Sequence, residues 1–186
     1  MKKFLTGLLI VSMVVILAGC GAKKNNAKPE EEKIKGNCKV FECIKNIEVT
    51  DSLETVNEKM GFDGKKDKDT DNYSIYVWEV TKDSKVTIQF NNGGKSNITI
   101  EFDKEKIANS KLDLSNSADI KTTVQKGEMT LDKFNEMVGN VEGTLVEKSA
   151  YSKKYLWYGA PDNYLYGTFS NTSNKCTFIS GRTPQK

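Results

Sequence analysis

The chain of 186 residues contains no histidine. That absence excludes a Ser-His-Asp or Cys-His nucleophile and every histidine-ligated zinc, haem or non-haem iron site. General acid–base work would fall to Asp, Glu, Tyr or Lys, which need unusual surroundings to titrate near neutrality. A one-signed charge excess is missing too: 28 Lys+Arg stand against 25 Asp+Glu, without the clustered basic surplus of a nucleic-acid binder. A non-catalytic protein without nucleic acid as a partner is the expectation, and no cofactor is called for.

The N-terminus carries an address. Lys2 and Lys3 precede an apolar run from Phe4 to Leu17, interrupted by Thr6, Gly7 and Ser12, and the run ends in Leu17-Ala18-Gly19-Cys20. This resembles the bacterial lipoprotein signal, in which small residues admit the signal peptidase and a cysteine sulfur takes a diacylglyceryl group. The run is short for a membrane span. Residues 1–19 are expected to be a signal peptide, and Cys20 the lipidated first residue of the mature chain. Two or more acyl chains on one residue anchor a protein stably, so the expected location is the extracytoplasmic face of the bacterial cell membrane. The stretch from Cys20 to residue 37 has mixed charge, no apolar periodicity and Pro29, and reads as a solvated tether.

The rest reads as one unit written twice. Ser52-Leu53-Glu54-Thr55-Val56-Asn57-Glu58-Lys59-Met60-Gly61 matches Thr130-Leu131-Asp132-Lys133-Phe134-Asn135-Glu136-Met137-Val138-Gly139 in Leu, Asn, Glu and Gly. One residue further out of step, Tyr76 meets Tyr155, Trp78 meets Trp157, Phe90 meets Phe169 and Asn92 meets Asn171. A repeat this long points to two duplicated subdomains, because solenoid repeats run shorter. Ser52 and Thr130 suit helix N-caps, and Gly61 and Gly139 suit the left-handed stop. A preceding helix places Val40, Phe41, Ile44 and Ile47 on one face, and Ile120 and Val124 do so in the second copy. Three strands follow in each copy, near 73–80, 85–91 and 97–102, then 154–159, 163–170 and 175–180. The expected fold is α+β: two tandem α-α-β-β-β subdomains, over 38–110 and 111–186, each an antiparallel sheet with helices on one face.

These paired helices, the Tyr-x-Trp strands, the later Phe and the lipobox together resemble the β-lactamase-inhibitor-protein-like architecture and the related SmpA/OmlA small lipoproteins. The likeness covers about residues 38–181 and is similar to the tandem-repeat lipoproteins of Gram-positive bacteria. It implies protein binding, through a sheet face or within an assembly, and carries over no contact residue. The lipid anchor separates this chain from the secreted inhibitor, so no β-lactamase inhibition is expected.

Strand parity divides core from surface. Val86, Ile88 and Phe90 alternate with Lys85, Thr87 and Gln89, so the first set faces the helices. Pairing through the Lys82-Asp83 turn sets Trp78 opposite Ile88 and Tyr76 opposite Phe90, which makes the Tyr-x-Trp motif core. The same register sets Trp157 opposite Gly167 and makes Tyr158 and Tyr166 direct neighbours. The opposite face then offers Ile75, Val77, Glu79, Thr87, Gln89, Thr99 and Glu101 in the first copy. In the second it offers Leu156, Tyr158, Tyr164, Tyr166, Thr168 and Phe178. Leu156, Tyr158, Tyr164, Tyr166 and Phe178 form the candidate protein-binding patch, since tyrosine offers much apolar area with few rotamers to freeze. Two other outcomes stay open: packing of this face against the first copy, and a one-residue slip that exchanges the faces.

Two weaker signals complete the reading. Asp67, Asp69 and Asp71 alternate as at the start of a calcium loop, but Asn72 and Trp78 stand where Gly and Glu are needed, so 67–72, in the hydrophilic loop joining helix to strand, reads as solvated and without a metal. Cys38, Cys43 and Cys176 leave at least one thiol unpaired in a monomer. If both lie in a helix, Cys38 and Cys43 face apart, and a link from either to Cys176 is the alternative. The chain is expected to be a membrane-anchored module that binds an unidentified protein partner; a structural or assembly scaffold of the envelope is the alternative.

Overall fold

Local capping starts the helices where the chain places its hydroxyls. The computed structural model describes residues 34–183, and the expected signal peptide, Cys20 and most of the tether lie outside them. Ser52 Oγ accepts the backbone N–H of Thr55 at 3.2 Å, and Thr130 Oγ1 accepts that of Lys133 at 3.2 Å. Each satisfies a donor that the first turn leaves free. The four helices are α1 (Val40–Asn46), α2 (Leu53–Met60), α3 (Ser117–Gln125) and α4 (Leu131–Met137). Gly61 ends α2 at φ 77° and Gly139 follows α4 at φ 89°, a conformation that costs a side-chain-bearing residue about 1–2 kcal/mol. No helix among the described residues is long and apolar enough to cross a membrane.

The strands are β1 (Lys65–Asp69), β2 (Tyr73–Thr81), β3 (Ser84–Asn91), β4 (Asn97–Glu101), β5 (Thr144–Lys148), β6 (Ser152–Ala160), β7 (Asn163–Ser170) and β8 (Cys176–Arg182). They form one eight-stranded sheet in the order β1 to β8, every neighbour antiparallel. This overturns the expected pair of α-α-β-β-β subdomains with a sheet apiece. Each half contributes four strands, and β4 and β5 join the halves through Ile98↔Lys148 and Thr99↔Glu147. The physical reason lies in the edges. Two separate sheets expose four edges with unpaired backbone groups, and joining them leaves two.

The strands absent from the sequence reading are β1 and β5. β1 is Lys-Lys-Asp-Lys-Asp, exposed at all five positions, so the stretch expected to be a loop is an edge strand. Its lysines discourage a further strand from adding there. β5 carries Leu145 and Val146 side by side, with a bulge between Leu145 and Glu147, which breaks the alternation that marks a strand.

Strand parity is as expected, but the register differs by two residues. Trp78 stands opposite Val86 and Tyr76 opposite Ile88, while Tyr155 rather than Trp157 faces Gly167. Both hairpins close on two-residue turns, Thr81↔Ser84 and Ala160↔Asn163, each with an extra residue bulged just before the turn. A displacement of two keeps every side chain on its face. Trp78 and Trp157 are both buried under the helices.

Two cores share the sheet. One gathers Val40, Ile44, Val56 and Met60 over Trp78, Ile88 and Ile98; the other gathers Ile120, Phe134 and Val138 over Trp157, Leu165 and Phe169. Each indole removes roughly 200 Å² from water, about 5 kcal/mol at 25 cal/mol/Å². Phe134 stacks on Trp157 with ring centroids 4.0 Å apart. Both indoles are held alike. Trp78 donates to Asn57 Oδ1 at 3.1 Å and to the Phe62 carbonyl at 3.2 Å. Trp157 donates to Asn135 Oδ1 and to the Val141 carbonyl, both at 3.0 Å. Gly64 and Gly143 donate their backbone N–H to the same asparagine oxygens, and a Cβ on either glycine would stand 2.4 or 2.6 Å from the indole.

The end of the expected tether lies on the body. Lys35 N–H donates to the Val80 carbonyl at 2.8 Å, and Asn37 N–H to the Met60 carbonyl at 2.9 Å. Cys38 sits on a bend ahead of α1, with its Cα 5.6 Å from that of Cys43, and the two form a disulfide. The expectation that these cysteines face apart is corrected: only Cys43 is helical. Cys176 keeps a free thiol.

Candidate interaction surface

The face of the sheet opposite the helices is built by alternate residues of all eight strands. In the first half Ile75, Val77, Thr87 and Gln89 are half-buried, and Glu79, Thr99 and Glu101 are exposed. In the second half the expected aromatic patch divides into a covered part and an open part.

The covering element is the chain leaving β4. Phe102 packs edge-on against Phe41 of α1, with centroids 4.7 Å apart. The next residues make a short 3₁₀ turn, Lys104–Ile107, started by Asp103, whose carboxylate accepts the Glu105 N–H at 3.1 Å. This strap crosses β6. The Tyr158 hydroxyl donates a short hydrogen bond to the Glu105 carboxylate, and Asn109 N–H donates to the Tyr158 carbonyl at 2.9 Å. Leu156 is 1% exposed and Tyr158 5%. Two of the five expected contact residues are therefore core, members of the cluster against which Phe102 and Ile107 pack. The sequence signal was present in two apolar residues, Phe102 and Ile107, bracketing a charged run too short for a surface helix.

Tyr164 and Tyr166 are half-buried beside the strap, and Phe178 on edge strand β8 is 60% exposed. Tyr158 faces Tyr164 across the strands, and Leu156 faces Tyr166, which corrects the expected Tyr158–Tyr166 pair. The Tyr164 and Tyr166 rings meet edge to face at 5.9 Å. Thr168 stands opposite Phe178. The open part of the patch is thus Tyr164, Tyr166, Thr168 and Phe178.

Hydrogen bonding to Glu105, with burial second, pushes the Tyr158 hydroxyl up to about 12. Charge next to the tyrosines is arranged closely. Lys104 Nζ lies 5.5 Å from the Tyr164 ring centre and 5.7 Å from that of Tyr166, and Lys154 Nζ lies 6.0 Å from Tyr166. A cleft of about 490 Å³ opens here where the halves join, lined by Thr99, Glu101, Phe102, Lys104, Glu147, Lys154, Leu156, Tyr166 and Ser180, among others.

A second depression, about 740 Å³, lies on the helix side between α1 and α4. Lys148 lines it, with a nearly buried ammonium that donates to the Ile47 carbonyl at 2.9 Å and pairs with Glu48 at 3.0 Å. Lys148 therefore fastens the end of α1 to β5. Tyr155 borders the same depression, and burial raises its hydroxyl pKa.

Among the described residues, no three His, Cys, Asp or Glu side chains are grouped to hold a metal ion. Asp67 and Asp69 lie in strand β1 rather than in a wrapping loop, and the Asp69 carboxylate pairs with Lys66 at 2.8 Å. No family model, curated protein or solved structure matches the chain.

Proposed function

We propose that this chain is a membrane-anchored extracytoplasmic lipoprotein that binds another protein through the sheet face opposite its helices. The observation that carries the reading is Phe178, 60% exposed on β8 beside half-buried Tyr166 and Thr168. An exposed large aromatic next to half-buried tyrosines supplies a desolvatable anchor with few rotamers to freeze, the composition that concentrates binding energy at interfaces. Rigidity supports it further, because strands and a packed strap hold these side chains rather than a long loop. The anchor is proposed from Cys20 and the apolar run before it. The resemblance to β-lactamase-inhibitor-like and SmpA/OmlA proteins supports the same class of activity, and it names no partner.

Replacing Phe178 and Tyr166 with Ser, one at a time, tests the reading. Both variants are expected to keep the wild-type thermal transition within a few degrees and to lose capture of a partner from surface extracts. Capture that persists in both, with folding intact, removes this face. Metabolic labelling with a fatty acid tests the anchor: the label is expected in the wild type and absent from Cys20→Ser.

A further inference from the structure

We infer that the cleft between Lys104 and Lys154 receives a single carboxylate side chain, Asp or Glu, of the bound protein; this rests on the protein-binding reading above. Glu147 pairs with Lys154 at 2.9 Å, and Glu101 pairs with Lys85 at 3.1 Å. Lys104 has no carboxylate partner among the described residues. Its ammonium stands instead over the faces of Tyr164 and Tyr166, a weak attraction at an exposed site.

Such a cation keeps its three N–H donors for a stronger acceptor, and a hydrogen bond to an ionised group is about twice as strong as a neutral one. Lys104 and Lys154 both approach the ring of Tyr166; Lys85 already balances Glu101 and Lys154 balances Glu147, so the charge of Lys104 alone is left over. One negative charge balances it. Leu156 and Phe102 line the cleft, and an apolar lining strengthens a charge pair relative to open water. Glu101 and Glu147 also line it, and their repulsion disfavours a doubly charged phosphate against a singly charged carboxylate.

The test uses the full lipidated chain in detergent micelles, with the lysine ε-methylene and tyrosine ring signals followed by NMR. The probes are acetyl-Gly-Glu-Gly-amide, its Gln counterpart and inorganic phosphate. The Glu peptide is expected to shift the Lys104, Lys154 and Tyr166 signals saturably. Binding is expected to weaken about tenfold, equal to about 1.4 kcal/mol, with the Gln peptide or in Lys104→Gln. Lys104→Arg should retain it, as should Lys121→Gln on α3. Equal binding of the Gln peptide, an unchanged Lys104→Gln, or phosphate binding as tightly as the Glu peptide would each overturn the inference. The two proposals separate cleanly. Capture that survives Phe178→Ser alongside intact Glu-peptide binding rejects the face, whereas lost capture without peptide binding rejects the cleft.

Discussion

Asn57 Oδ1 accepts both the Trp78 indole N–H at 3.1 Å and the Gly64 backbone N–H at 3.0 Å. One amide oxygen thereby joins α2, the turn after it and β2. Asn135 does the same for Trp157 and Gly143 in the second half. Removing the oxygen leaves the indole and a partly buried glycine N–H without this acceptor, which costs about 1–3 kcal/mol. Asn57→Ala and Asn135→Ala are each expected to lose about that much in urea unfolding at unchanged slope. A loss below 0.5 kcal/mol in both, on the same order-of-magnitude scale, would mean that the carbonyls of Phe62 and Val141 suffice.

Alkaline pH should weaken the strap. Tyr158 holds its proton up to about 12 because Glu105 accepts it in a hydrogen bond. An acid whose folded pKa exceeds its unfolded value of about 10 contributes stability in full below that lower value. The contribution disappears as pH rises through about 12. The stability gap between wild type and Tyr158→Phe is therefore expected to be constant up to pH 9 and to shrink between pH 10 and 12. A flat gap across that range would show that the proton on Tyr158 does not matter to folding.

The cysteines should respond unequally to reagents. Cys38 and Cys43 close a short loop, with a sequence separation of 5, for which chain entropy predicts about 2 kcal/mol. Cys38→Ser is expected to lower stability by roughly that amount. Burial pushes the Cys176 thiol up to about 11, so the reactive thiolate is scarce at pH 8. An alkylating reagent should label Cys176 at pH 8 only after unfolding. Rapid labelling of the native protein would contradict its burial.

Lys148 is predicted to matter to the union of the halves more than to either alone. Its ammonium reaches the Ile47 carbonyl across 101 positions of sequence. Glu48, its ionic partner, is more than half exposed and stays hydrated without it. Lys148→Met should therefore cost about 1–2 kcal/mol, the value of the lost hydrogen bond with a carbonyl left under-satisfied. Hydrogen exchange is expected to rise first at Ile98, Thr99 and Glu147. Protection unchanged there would refute a fastening role.

Much of this arrangement is legible in the residues themselves. Hydroxyls three positions ahead of an N–H, glycines at helix ends and period-two alternation at Val86-Thr87-Ile88 each have a local cause. The strands that escaped are those whose cause lies elsewhere. β1 is a strand because Tyr73–Thr81 offers it a ladder, and its own five charged residues announce only solvent. β5 exists because β4 needs a neighbour. The covered state of Tyr158 comes with the strap, whose Glu105 and Asn109 bond to it from some fifty residues earlier in the chain, so no window along β6 could reveal it. Exposed Phe178 differs: it alternates with half-buried Ile179, and the irregularity at Thr177 turns it away from the side of buried Cys176.

The joint at Ile98↔Lys148 and Thr99↔Glu147 is the shortest pairing in the sheet. Under mechanical load a molecule built this way has one place to tear. Two rungs of backbone, Lys148, the strap's bonds to Tyr158 and the packing of Leu145 and Val146 into the first core part there, and each fragment keeps its own indole. A partner gripping both sides of that rung would act as a splint.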